Sequence, residues 1–181
     1  MSQTVRPWSQ TPPAVFGPVL GLFGLGLAWR RAAAVFGTPE SAAEIALAAI
    51  SLLFLAALLS YLSKLAMRPA ALLDDLGTVA GRLGISGASG SLMLLAAVVA
   101  PYSGALGRGV LIIALGAHLL VAALSARALM RLPLAGRRMS GAWHLTFVGF
   151  IIAPIAAVPL GWEGLALLIQ VLSIAMAIAV W

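Results

Sequence analysis

The 181-residue chain is 62% hydrophobic and only 9% charged, with a formal net charge of +6. Soluble domains carry about a quarter of their residues as charged side chains, so this composition excludes an ordinary soluble fold and describes an integral membrane protein. Cysteine is absent, which removes disulfides, thiolate catalysis and Cys-ligated zinc, and the basic residues fall between apolar runs and form no stripe suited to nucleic acid.

A transmembrane helix needs about 20 mostly apolar residues. After an N-terminal segment, 1–13, runs of that kind predict six spans, at 14–29, 43–66, 85–103, 109–130, 142–161 and 162–181. The first could be a signal peptide, but Trp29-Arg30-Arg31 stands where a small-residue cleavage site would be, so it reads as a retained helix. Between the second and third spans, Leu72, Leu76, Val79 and Leu83 recur at helical spacing, which predicts an interfacial amphipathic helix near 69–85. Pro69 could start that helix, and the Gly87-Ala88-Ser89-Gly90 stretch ends it and leads into the third span. The last two spans are separated only by Pro159, Gly161 and Glu163, the signature of a tight helical hairpin.

Short-loop basic residues set orientation, because Lys and Arg are retained on the cytoplasmic side. Arg6, Lys64, Arg68, Arg82, Arg127, Arg131, Arg137 and Arg138 fall on one side of the six spans, and Arg30, Arg31 and Arg108 on the other. Both termini are therefore expected in the cytoplasm, in a bacterial-type inner membrane.

Glycine and proline divide the spans into two kinds. The first carries Gly17, Pro18, Gly21, Gly24 and Gly26, the third Gly87, Gly90 and Pro101, and the fifth Gly149, Pro154, Pro159 and Gly161. The even spans carry only Gly109, Gly116 and Gly164. A proline inside a helix frees a carbonyl, which in lipid needs protein or a water-filled cavity to satisfy it. The predicted fold is thus an all-α polytopic bundle of hairpins, with odd helices lining a central pore and even helices facing lipid. Phe16, Gly17, Pro18, Gly21, Gly24, Gly149 and Pro154 are the pore-lining candidates. Close helix packing through small residues, as at the Gly17 and Gly21 spacing, is the competing reading. On the pore reading, leucine at Gly17, Gly21 or Gly149 harms flux more than leucine at Gly116 or Gly164.

Ionisable groups within the spans are few. His118 lies mid-helix in the fourth, where an imidazole hydrogen-bonded to a neighbouring helix is the favoured reading. His144, beside Trp143 at the start of the fifth, is either a pore-mouth residue or an interfacial anchor. Two histidines 26 residues apart, with no carboxylate at ligand spacing, make no metal site. No nucleophile constellation or phosphate-cradling loop is present, so neither an enzyme nor a bound cofactor is expected.

Two stretches carry a family resemblance. Pro13-Ala14-Val15-Phe16-Gly17-Pro18-Val19-Leu20-Gly21-Leu22, closed by Ala28-Trp29-Arg30, resembles the opening helix of the tellurite-resistance/dicarboxylate transporter family, which includes the plant guard-cell slow anion channels. Trp143-His144-Leu145-Thr146-Phe147-Val148-Gly149-Phe150-Ile151 is similar to the start of that family's fifth helix. The resemblance implies five hairpins around a pore in a homotrimer that conducts or exports small anions, and ties some members to tellurite resistance. The chain departs from the family in having six spans where ten are expected, and it lacks the ninth helix that carries the family's occluding Phe. The resemblance therefore implies about four further spans encoded beyond Trp181, and poor stability or activity without them. The alternative is a non-transporting membrane subunit that binds partner helices through its Gly-rich faces.

Overall fold

The computed structural model describes residues 11–131 and 142–180, and the regular elements among them are all helical. A 3₁₀ turn at Pro13–Val15 leads into α1 (Phe16–Phe36), followed by α2 (Glu40–Met67), α3 (Ala71–Leu76), α4 (Val79–Val99) and α5 (Gly104–Met130). Then come α6 (Ala142–Phe147), a 3₁₀ turn at Gly149–Ile152, α7 (Pro154–Ala157) and α8 (Glu163–Val180). The helix from Pro13 to Phe36, α2, α4 and α5 are long and apolar enough to cross a membrane, and α8 is apolar but shorter. These helices mark a multi-pass membrane protein. α2, with 28 residues, is about 42 Å long and overshoots the ~30 Å of hydrocarbon.

The third predicted span forms the centre of the bundle. In α4, 72% of the apolar stretch is buried, against 17–33% in the other three spanning helices. α1, α5 and the broken segment α6–α7 all pack on it, while α2 lies outside α1 and α8 lies outside α6 and α7. Glycine explains how so many neighbours fit. A Cβ at Gly84 would stand 2.1 Å from the Pro13 carbonyl oxygen, and one at Gly87 would stand 3.3 Å from that of Phe16. Only hydrogen at these positions lets two backbones come so close.

Several sequence expectations change. The amphipathic helix near 69–85 is two elements: α3 covers only Ala71–Leu76, and Thr78 accepts a hydrogen bond from the Gly81 N–H at 3.0 Å, capping a new helix that already belongs to the third span. The Gly87-to-Gly90 stretch is mid-helix and almost wholly buried, since small residues in an apolar run serve packing here, not chain reversal. Pro18 is the third residue of α1, within the first turn, where its missing N–H interrupts no ladder. The fifth span is broken: Ile151 and Ala153 direct their N–H groups to carbonyls three residues back, at Val148 and Phe150, before Pro154 opens α7. The hairpin after it turns at Gly161, whose φ of +76° is open to glycine at little cost, and the Trp162 N–H closes it on the Ala157 carbonyl.

Polar side chains tie the bundle at its two ends. At one end Lys64 donates to Asp75 (2.8 Å), which also accepts from the Tyr61 hydroxyl (2.9 Å), and the Arg82 guanidinium lies 4.6 Å from the centre of the Trp143 ring. At the other, Arg30 makes a two-pronged pair with Glu44 (2.6 and 2.8 Å) and reaches the Ala97 and Val98 carbonyls at the C-terminal end of α4 (3.4 Å). Tyr102, between α4 and α5, donates to the same Glu44 carboxylate, and that bond holds its phenol above the usual range. Lys64 and Arg82 thus lie at one end of the bundle and Arg30 at the other. Arg6, Arg137 and Arg138 lie outside the described residues.

Candidate functional site

α1 and the broken segment stand apart across the face of α4, leaving a groove whose floor is Leu94, Ala97 and Pro101. Leu20, Gly24, Leu27 and Ala28 form one wall, and Ile152 and Ile155 face them from the other. The lower part continues into a wider mouth of ≈ 590 Å³ that holds Arg30, Arg31 and Glu40 beside Val158 and Pro159. Arg30 is committed to Glu44 and the end of α4, which leaves Arg31, exposed at the rim, as the cation offered to a solute.

The sequence candidates divide on this groove. Gly17, Gly21 and Gly24 lie on one face of α1 by helical spacing, all exposed, and a Cβ at any of them would meet nothing within 4 Å. Gly24 lines the groove directly and Pro18 is exposed. Phe16 faces the other way: its ring is fully buried and packs edge-on against Phe54 (6.1 Å) and Tyr61 (5.8 Å) of α2. Pro154 begins α7 and is half-buried, next in the chain to groove-lining Ile155. Gly149 is buried behind the groove, not in it, and His144 is half-buried on α6 at the opposite end from Arg30.

Behind the broken segment lies a polar cluster that the sequence analysis did not assemble. His118 of α5 is fully buried, with its Nδ1 2.7 Å from the Ser89 hydroxyl of α4. This matches the expected hydrogen-bonded imidazole between helices. The contact forms in either tautomer: Ser89 accepts from Nδ1–H while donating to the Ser86 carbonyl at 3.0 Å, or turns its proton towards a bare Nδ1. Nε2 has no partner at full hydrogen-bonding geometry among the described residues, and the Thr146 backbone lies close to the ring. Ser86 continues the cluster to Thr146 of α6 at 3.0 Å. The ring lies against the break itself. Phe150 meets it edge-on at 4.5 Å, and a Cβ on Gly149 would stand 2.7 Å from its Cε1 and 2.8 Å from Nε2. The signal for Ser86 and Ser89 was present as Ser-Gly-Ala-Ser-Gly-Ser inside an apolar run, where small polar residues hydrogen-bond across helices.

The described residues contain no group of three or more His, Cys, Asp or Glu able to hold a metal. The cluster is neutral, and its chemistry is that of helix adhesion inside a membrane. The groove, in contrast, is apolar along its length and charged at its mouth, where Arg31 stands with Glu40 and the Arg30–Glu44 pair. The chain matches no known family model, and no curated protein is significantly similar to it.

Proposed function

We propose that the protein is a passive membrane pathway for small anions, of the tellurite-resistance/dicarboxylate kind, with the α1–α7 groove as one wall of its passage. The observation that carries this reading is the open glycine face of α1, Gly17, Gly21 and Gly24, of which Gly24 lines the groove opposite the broken segment and beside an arginine-bearing mouth. Side-chain-free positions keep a pathway wide, and a cation at its entrance raises the local concentration of anions. Among the described residues the lining includes only one carboxylate, Glu40, at the mouth, which suits a channel or passive exporter better than a proton-driven pump. The groove is open on one side in a single chain, so the reading includes a homo-oligomer, a trimer by the resemblance, whose other copies complete the wall. It also places the chain in the inner membrane with both termini cytoplasmic; labelling of a Ser2→Cys variant from outside intact cells would reverse that topology.

The direct test is chloride and nitrate flux into liposomes holding the purified protein. Flux that Gly24→Leu abolishes and Gly116→Leu preserves supports the pathway; a folded, oligomeric protein without flux refutes it. One observation favours a second reading. The open space at Gly17, Gly21 and Gly24 also fits a partner helix at GxxxG-like spacing, in a subunit that transports nothing. In that case Gly21→Leu would release a co-purifying membrane protein from the native membrane.

A further inference from the structure

The broken segment has two faces with different duties. Ile152 and Ile155 form the groove wall, while Gly149 and Phe150, in the same run of residues, rest on the His118 ring. The intervening backbone has left the α-helical ladder for a 3₁₀ turn, so neighbouring helices must hold it in place. We infer that His118 is a positioning residue for the passage, a buried latch that sets groove width by fixing the break at Gly149–Ile152 against α4 and α5.

Three observations carry the inference beyond ordinary packing. First, the imidazole is anchored through Nδ1 by Ser89, so its position against Gly149 is tied to α4. Second, no side chain fits between the ring and the Gly149 backbone, so a shift of the ring moves the segment directly. Third, Ile152, three residues from Gly149, lies over Gly90, where a Cβ would stand 3.1 Å from its Cδ1 and 3.3 Å from Leu20 of the opposite wall. Movement at His118 therefore reaches the groove through at most one turn of backbone. An apolar side chain could fill the volume but could not be fixed by Ser89, which would remain a buried hydroxyl with one bond fewer.

The inference rests on the proposed pathway for its effect on flux but not for its effect on geometry, and one experiment separates the two. The chain has no cysteine, so spin labels can be placed on Leu25→Cys of α1 and Ile155→Cys of α7, both exposed, and their separation measured by pulsed electron paramagnetic resonance in lipid. The wild-type background should give one narrow distance distribution. His118→Leu should give a longer and broader one, His118→Asn should restore much of the narrow distribution by bonding Ser89, and Ser89→Ala should reproduce the loss while removing only one oxygen. Where His118→Leu does not fold, Ser89→Ala decides. The nitrate-to-chloride flux ratio should change in the same variants. Unchanged spacing in folded His118→Leu or Ser89→Ala protein overturns the latch. Altered spacing in a protein that never shows flux upholds the latch and removes the pathway.

Discussion

Glycines 84, 87 and 90 of α4 and glycines 17, 21 and 24 of α1 are the same residue in parallel neighbouring helices, yet they do opposite things. A Cβ on any of the α4 three would meet another element within 3.4 Å; a Cβ on any of the α1 three would meet nothing within 4 Å. In α4 glycine lets backbones touch, and in α1 it keeps a surface low beside a groove. Glycine content therefore does not distinguish packing from passage in a membrane helix. The partner's distance does.

That contrast can be broken most forcefully at Gly84. Even alanine there collides with the Pro13 backbone, so Gly84→Leu is expected to abolish folding and Gly84→Ala to cost at least the ~1–3 kcal/mol typical of overpacking, read by thermal unfolding in detergent. Gly149→Ala comes next. Its methyl would displace the His118 ring, at a cost of about 1–3 kcal/mol, and this separates Gly149 from Gly17 and Gly21, with which the sequence pattern groups it. Glu44→Gln weakens a pair that is partly exposed on both sides, so about 0.5–1 kcal/mol is the expected loss, with more of it recovered at high salt than any loss at Gly84. At the small end, Gly21→Ala should leave stability unchanged or raise it by up to ~1 kcal/mol through helix propensity alone. A large loss at Gly21 would mean that the α1 face is already covered in the folded protein.

Much of the bundle was legible because its signals are local. The apolar runs fall on α2 and α8 closely, whereas α1 extends to Phe36 and α5 begins at Gly104, beyond the predicted bounds. The glycine and proline content that set the fifth span apart also set apart the first and third, which form the continuous helices α1 and α4. What stayed hidden depends on tertiary neighbours. Nothing in Gly17-Pro18 states that Phe16 turns to Phe54 and Tyr61 while Gly17 turns away. Nor does the spacing of Leu72, Leu76, Val79 and Leu83 reveal that Thr78 caps a new helix in the middle of the pattern. His118 was recognisable as a buried, bonded imidazole, but its contact with Gly149 joins residues from two helices and needed the fold to appear.

The proposed pathway requires that the α1 face border water that an anion can enter. Cysteine substitution can test this because the chain has no native thiol. A membrane-impermeant anionic thiol reagent, applied to protein in lipid bilayers, should modify Gly24→Cys readily while leaving Gly116→Cys, exposed on α5, and the closed Gly87→Cys unreacted. Equal protection of Gly24→Cys and Gly116→Cys in folded protein would show that the α1 face meets lipid or a partner helix, and would contradict the pathway.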